Sequence, residues 1–256
     1  MKISKSLSIL LLVLMLMLSA CGVLREPEAP SAPIESVPLE VEEETAAEPA
    51  ETTEEAVEEP AAAESDTAIA EPAASTESNV TIFEINQDSS HVRFELDEDL
   101  RGNRITVVGQ TNQVAGQIAA DYADLSTLQV GVIQINARAL ETDNNFRNRA
   151  IQNEILVTGL YEFITFTPTA VNGLPAGVTI GDSVQFTIVG DLSILDQTHE
   201  VTFDVEATAV SETEFAGTAT AVINRADFNL LIPSVPNVAN VEEEVELYID
   251  FTANAS

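Results

Sequence analysis

Between Val184 and Val210 the chain twice alternates apolar and polar residues, around a short polar break. Val184, Phe186, Ile188, Leu192 and Ile194 share one parity, and Gln185, Thr187, Asp191 and Ser193 the other. In the second run Val201, Phe203, Val205, Ala207 and Ala209 alternate with Thr202, Asp204, Glu206 and Thr208. Period two sustained over this length marks strands with one dry and one wet face. Asp196-Gln197-Thr198 reads as the polar turn of an antiparallel hairpin. Gly190 interrupts the inward parity, which predicts a bend or a close backbone approach.

Similar runs recur from residue 80 onward, near 80–86, 92–97, 104–110, 114–122, 129–137, 161–171, 215–224 and 244–252. Many short strands with turn signals at even spacing predict an all-β sandwich or barrel. One stretch breaks the pattern. Asp143–Glu154 (DNNFRNRAIQNE) places Phe146, Ala150 and Ile151 at helical spacing, with Asp143 as N-cap, and predicts a short helix over one end of the sheet.

The chain before residue 80 is a different polymer. Gly22–Asn79 is rich in Glu, Ala and Pro, has Arg25 as its only base and contains no aromatic. Such a composition buries too little apolar surface to offset the entropy of ordering, which predicts a disordered acidic linker over 21–79. As a free coil it would span about 40 Å and act as a spacer. Met1–Ala20 carries Lys2 and Lys5, an apolar run from Leu7 to Leu18, then Ser19-Ala20, the layout of a secretory signal. That run is too short to span a bilayer comfortably. Leu18-Ser19-Ala20-Cys21 resembles the bacterial lipobox, so Cys21 is the expected site of lipid attachment. Two or three acyl chains, at about 0.8 kcal/mol per buried methylene, make a durable anchor. The domains expected are therefore a signal (1–20), a linker (21–79) and a β-domain (80–256), held on the outer side of a membrane in the cell envelope.

Charge removes several classes of function. The net charge is −33, with ten basic residues in 256, which excludes binding of nucleic acid through its phosphates. A single cysteine excludes an internal disulfide. His91 and His199 each have carboxylates nearby in sequence, but no close His-x-His or Cys spacing supports a metal site. Ser89, Ser90 and His91 are chain neighbours, which does not define a catalytic triad. No catalytic residue, metal or cofactor is expected.

Five segments, INQDSSHVRFELD, NARALETDNNFRNRAIQNE, YEFITFTPT, GDLSILDQTHEVTFDV and INRADFNLLIPS, follow one another in the order and spacing of the YceI-like family, and the chain resembles that family from roughly Thr81 to Thr252. Leu140, Thr142 and Arg147 match its helix segment, Asn148 stands where the family usually has Asp, and Ala150 falls near its usual His. The resemblance implies an eight-stranded antiparallel, lipocalin-like barrel holding a polyisoprenoid. A barrel of that size is just wide enough for one small ligand, and the inward residues here are often short, with no Trp to plug the centre.

On this reading the apolar lumen is lined by Phe94, Val132, Phe166, Phe186, Ile188, Leu192, Ile194, Phe203 and Phe228. Arg138, Arg147 and Arg149 form the most basic local cluster and are headgroup candidates, since a guanidinium fork suits phosphate. Pairing with the abundant carboxylates is their alternative. The expected partners are a long apolar lipid, such as a quinone or polyprenyl carrier, and a membrane, with a homodimer left open. The alternative reading is a structural or adhesive β-domain with a solid interior.

Overall fold

The computed structural model describes residues 25–39 and 80–256; residues 1–24, with the expected signal and Cys21, and residues 40–79 lie outside them. Among the described residues thirteen strands form one antiparallel sheet. They are β1 (Thr81–Ile85), β2 (His91–Leu100), β3 (Asn103–Thr111), β4 (Val114–Ala115), β5 (Gln117–Asp121), β6 (Asp124–Val130), β7 (Ile133–Asn136), β8 (Phe163–Asn172), β9 (Ser183–Ile194), β10 (Gln197–Ser211), β11 (Glu214–Asn224), β12 (Val238–Ala239) and β13 (Glu244–Ala255). The one α-helix among the described residues, α1 (Asn145–Ala150), runs into a π-helical turn, Ile151–Ile155.

The expected hairpin is the longest pairing. β9 and β10 pair from Gln197↔Ile194 to Thr208↔Ser183, so the turn is Leu195-Asp196, one residue earlier than the polar residues indicated. Leu195 takes the left-handed conformation there, at φ 57°. β11 and β13 continue the sheet over eleven further residue pairs, Glu214↔Asn254 to Asn224↔Glu244.

The sheet curls because long strands change partners at breaks. β13 pairs β2 through Glu246–Asp250 and β1 through Ala253–Ala255, with residues 86–90 as the step between them. At Gly116 the pairing passes from β5, which pairs β1, to β4, which pairs β7. A Cβ at Gly116 would collide with the side chain of Ile133. The Gly116 break splits the expected 114–122 run into β4 and β5, and brings β1 and β7, distant in the ladder, to either side of one bent strand. The enclosed core runs from Ile85 through Phe166, Leu192 and Phe203 to Ile249.

The helix starts one residue later than expected. Asn144, not Asp143, is the N-cap, and its side-chain oxygen accepts from the backbone N–H groups of Phe146 and Arg147. Asp143 pairs instead with Arg147, one turn on. Asn148 accepts from both the N–H and the hydroxyl of Thr142, at 2.7 Å each, which ties the loop onto the helix.

Residues 25–39 correct the expected linker. They lie extended along the domain, with Ile34 4% exposed. The Asn153 amide donates to the Arg25 carbonyl (2.8 Å), the Ser31 N–H to Glu162 (2.8 Å), the Gln87 amide to the Ile34 carbonyl (3.0 Å), and the Leu39 N–H to the Gln117 side chain (2.8 Å). Averaging composition over 21–79 concealed this segment. Pro27, Pro30, Pro33 and Pro38 fix φ and lower the entropy lost on ordering, and Ile34 supplies the apolar burial. The expected disorder of the remainder concerns residues outside the described set.

Candidate functional site

The register gives the curled sheet two distinct ends. At the first end lie the β2–β3 turn, α1 with its π-turn, the start of β8, the β9–β10 turn and the segment 225–243. At the second lie the β5–β6 turn, the β8–β9 loop and the β10–β11 turn.

A cavity of about 350 Å³ opens at the first end, within the size range of small-ligand sites. β2 contributes Phe94, Leu96, Glu98 and Leu100 on one parity, and Ile164, Ile194, Ile223 and Leu247 come from β8, β9, β11 and β13. Phe146, Ile151 and Ile155 form one lip, and Leu230, Ile232 and Val235 the other. A second space, about 80 Å³ and wholly apolar, sits toward the second end, among Phe166, Phe186, Ile188, Phe203 and Phe251. That end is filled by an aromatic cluster. Tyr122 lies 4.8 Å from Phe215, Phe215 lies 4.7 Å from Phe83, and the Tyr122 hydroxyl donates to the Ser211 carbonyl. Burial, with the charge of Glu212 adding to it, pushes the Tyr122 phenol up from its ordinary value.

The interior is therefore two chambers, not one tunnel. Along β9, Ile188 lines the small chamber and Ile194 the large one, while Leu192, 2% exposed, lines neither and stands between them. Phe166 and Phe203 meet edge to face at 4.9 Å on the floor of the small chamber.

The structure distributes the expected lumen residues as follows. Phe94 and Ile194 line the large chamber, and Phe166, Phe186, Ile188 and Phe203 the small one. Val132 lines neither; β7 begins at Ile133, and the strand's alternation turns Ile133 inward in its place. Phe228 also lines neither. It lies in the turn after β11 rather than in a strand, fully buried, with the ring of His199 edge-on at 5.0 Å. Ser90 is a structural latch, its hydroxyl bonded to the Thr252 backbone N–H and carbonyl, while His91 is exposed.

The three arginines separate. Arg138 is committed to the N-terminal segment: Nη1 is 3.0 Å from Glu162 and reaches the Ala29 carbonyl, Nη2 is 3.2 Å from Glu28, and Nε donates to the Thr158 carbonyl. It lines neither chamber, which corrects its assignment to a headgroup. Burial would raise the carboxyl of Glu162. Donation from Ser31 and Asn136 and the charge of Arg138 outweigh it and hold the group below its ordinary range. Arg147 does face the large chamber, paired at 3.0 Å with Glu98 and at 2.5 Å with Asp143. Arg149 is half-buried on the same helix and, like Arg138, lines neither chamber, which corrects its assignment to a headgroup; no carboxylate lies within ion-pair distance of it among the described residues.

Sequence reading missed Glu98, Arg101 and Arg225 at this rim. Glu98 was legible, since it sits on the apolar parity of Phe94, Leu96 and Leu100. Its burial to 7% beside Arg147 puts a charged, hydrogen-bonded pair in the wall of a mostly apolar space. Such an arrangement can take a hydrocarbon inward and a polar group at the rim.

A curled antiparallel sheet around a mostly apolar interior defines the molecule as a lipocalin-like all-β protein. The YceI-like domain model matches residues 83–253, and the chain belongs to that family. A polyisoprenoid binding domain from Saccharophagus degradans implicated in plant cell wall breakdown is 14% identical, with TM-score 0.57, over 68% of this chain and 98% of that one. BcnA of Burkholderia cenocepacia is 18% identical, with TM-score 0.54, over 66% and 99%. No curated protein matches the chain.

Proposed function

We propose that this protein binds a long isoprenoid or similar apolar lipid in the large chamber and carries or sequesters it without chemistry. The observation that supports this reading is the cavity of about 350 Å³ walled mostly by aliphatic and aromatic side chains, with Glu98, Arg101, Arg147 and Arg225 as its charged members. Apolar area buried by the hydrocarbon supplies the affinity, at about 25 cal/mol per Å². Arg147 and Arg101 line the large chamber and would meet a quinone or phosphate headgroup there, a guanidinium fork suiting either oxygen-rich group. Binding by the Saccharophagus relative is consistent with this. The small chamber accepts a chain end only if the Leu192 level yields.

The same reading makes the protein an exported lipoprotein, acylated at Cys21 and facing out of the cytoplasm. Native mass spectrometry with lipid extraction tests the ligand: a co-purifying prenyl lipid supports it, and an empty protein without measurable isoprenoid affinity overturns it. Cys21→Ala tests the anchor, since unchanged membrane association in that variant would refute acylation.

A further inference from the structure

We infer that the N-terminal segment holds the lipid-bearing cysteine beside the mouth of the large chamber, so that the mouth is pressed to the bilayer rather than lifted away from it. The inference rests on acylation of Cys21. Residues 25–39 run from the first end of the sheet, where Arg25 bonds Asn153 of the π-turn that roofs the chamber, toward Gln117 near its middle. Three residues separate Cys21 from Arg25, and extended chain covers at most about 14 Å over those four steps. The acidic stretch cannot act as a spacer in this arrangement. Both its neighbours are fixed on one domain, Leu39 at Gln117 and Val80 at the start of β1, so its length does not lie between anchor and sheet.

A second, independent feature points the same way. Phe146, Leu160, Phe163, Leu231 and Val235 are large apolar side chains exposed at the mouth end, Leu160 at 80% and Leu231 at 73%. The opposite end exposes Ile180 and Val210. Arg101, Arg104, Arg138, Arg147, Arg149 and Arg225 lie at the mouth end, four of them paired there with carboxylates, and the described turns of the opposite end carry acids and no base. An apolar rim of this kind suits insertion into a bilayer interface. A lipid could then pass between membrane and chamber without crossing water.

The test uses the full chain, purified from membranes and reconstituted in phosphatidylethanolamine–phosphatidylglycerol vesicles that carry doxyl-labelled acyl chains. Dansylalanine is placed in turn at positions 146, 231 and 212. Loss of fluorescence at 146 and 231, with none at 212, is the expected result; equal loss at all three, or loss at 212 alone, overturns the inference. A second variant inserts a long Gly/Ser stretch between Gly22 and Val23, keeping Cys21 and the docked segment. Quenching at 146 should fall in it, and unchanged quenching would show that the docked segment does not orient the protein. Intact mass reports acylation separately. An unmodified Cys21 defeats the anchor reading alone, and the same quenching is then read with that thiol, the only one in the chain, coupled to a maleimide lipid.

Discussion

The ring of Phe166 lies directly on the backbone of Gly190, and a Cβ at that glycine would stand 2.7 Å from the ring edge and 2.5 Å from the Thr167 carbonyl. Phe94 lies in the same way on Gly109, and Phe251 on Gly217. Glycines in the wall thus let phenylalanines lie flat against it rather than project into the centre. Gly190→Ala should push the Phe166 ring toward the small chamber and cost about 1–3 kcal/mol through overpacking. Urea unfolding would read the loss, and a decrease in bound lipid should accompany it.

The Glu98–Arg147 pair is mostly withdrawn from water, with side-chain exposures of 9% and 17%. Removing one partner leaves the other charge buried, which typically costs about 3–5 kcal/mol. Arg147→Met should therefore destabilise strongly, while Arg147→Met combined with Glu98→Leu should regain most of the loss. A double-mutant cycle from denaturant unfolding would show this as a large coupling energy; additive costs would mean that the pair contributes little.

Acid should release the N-terminal segment. The Glu162 carboxyl is held below the ordinary carboxylate value of about 4.3 by donors and charge that belong to the docked arrangement. A depressed carboxyl stabilises docking fully above that ordinary value, and the contribution disappears as pH falls through the lowered one. Hydrogen exchange at the Ser31 and Leu39 amides should accelerate at the acid end of the range while β9 and β10 remain protected. Glu162→Gln should flatten that pH dependence.

Ile34 is the buried apolar contact of the same segment, and Ile34→Ala should cost about 2–5 kcal/mol of docking. Because the segment adds to a sheet that is hydrogen-bonded without it, the loss should be local. Limited proteolysis should cut within 25–39 in the variant while thermal unfolding of the β-domain shifts little.

What could be read in the sequence followed from local periodicity. The β9–β10 hairpin, the helix over one end and the inward parity of Phe186, Ile188, Ile194 and Phe203 depend on spacing that a single strand displays by itself. Gly190 also announced a close approach, although not which ring would fill it. Val132 was misread because a one-residue shift at a strand start reverses every facing direction, and Phe228 because alternation continued on paper into a turn.

Alternation in the chain settled that this would be an antiparallel β-protein with an apolar inner face, since side-chain direction in a strand is fixed at every second residue whatever the partner. Tertiary structure decided what the inner face encloses. Whether phenylalanines plug the centre depends on glycines contributed by other strands, and whether Arg138 meets a ligand or Glu28 depends on a segment more than a hundred residues away. Neither is encoded in local pattern, because each is a contact between elements whose register the closing sheet alone brings together.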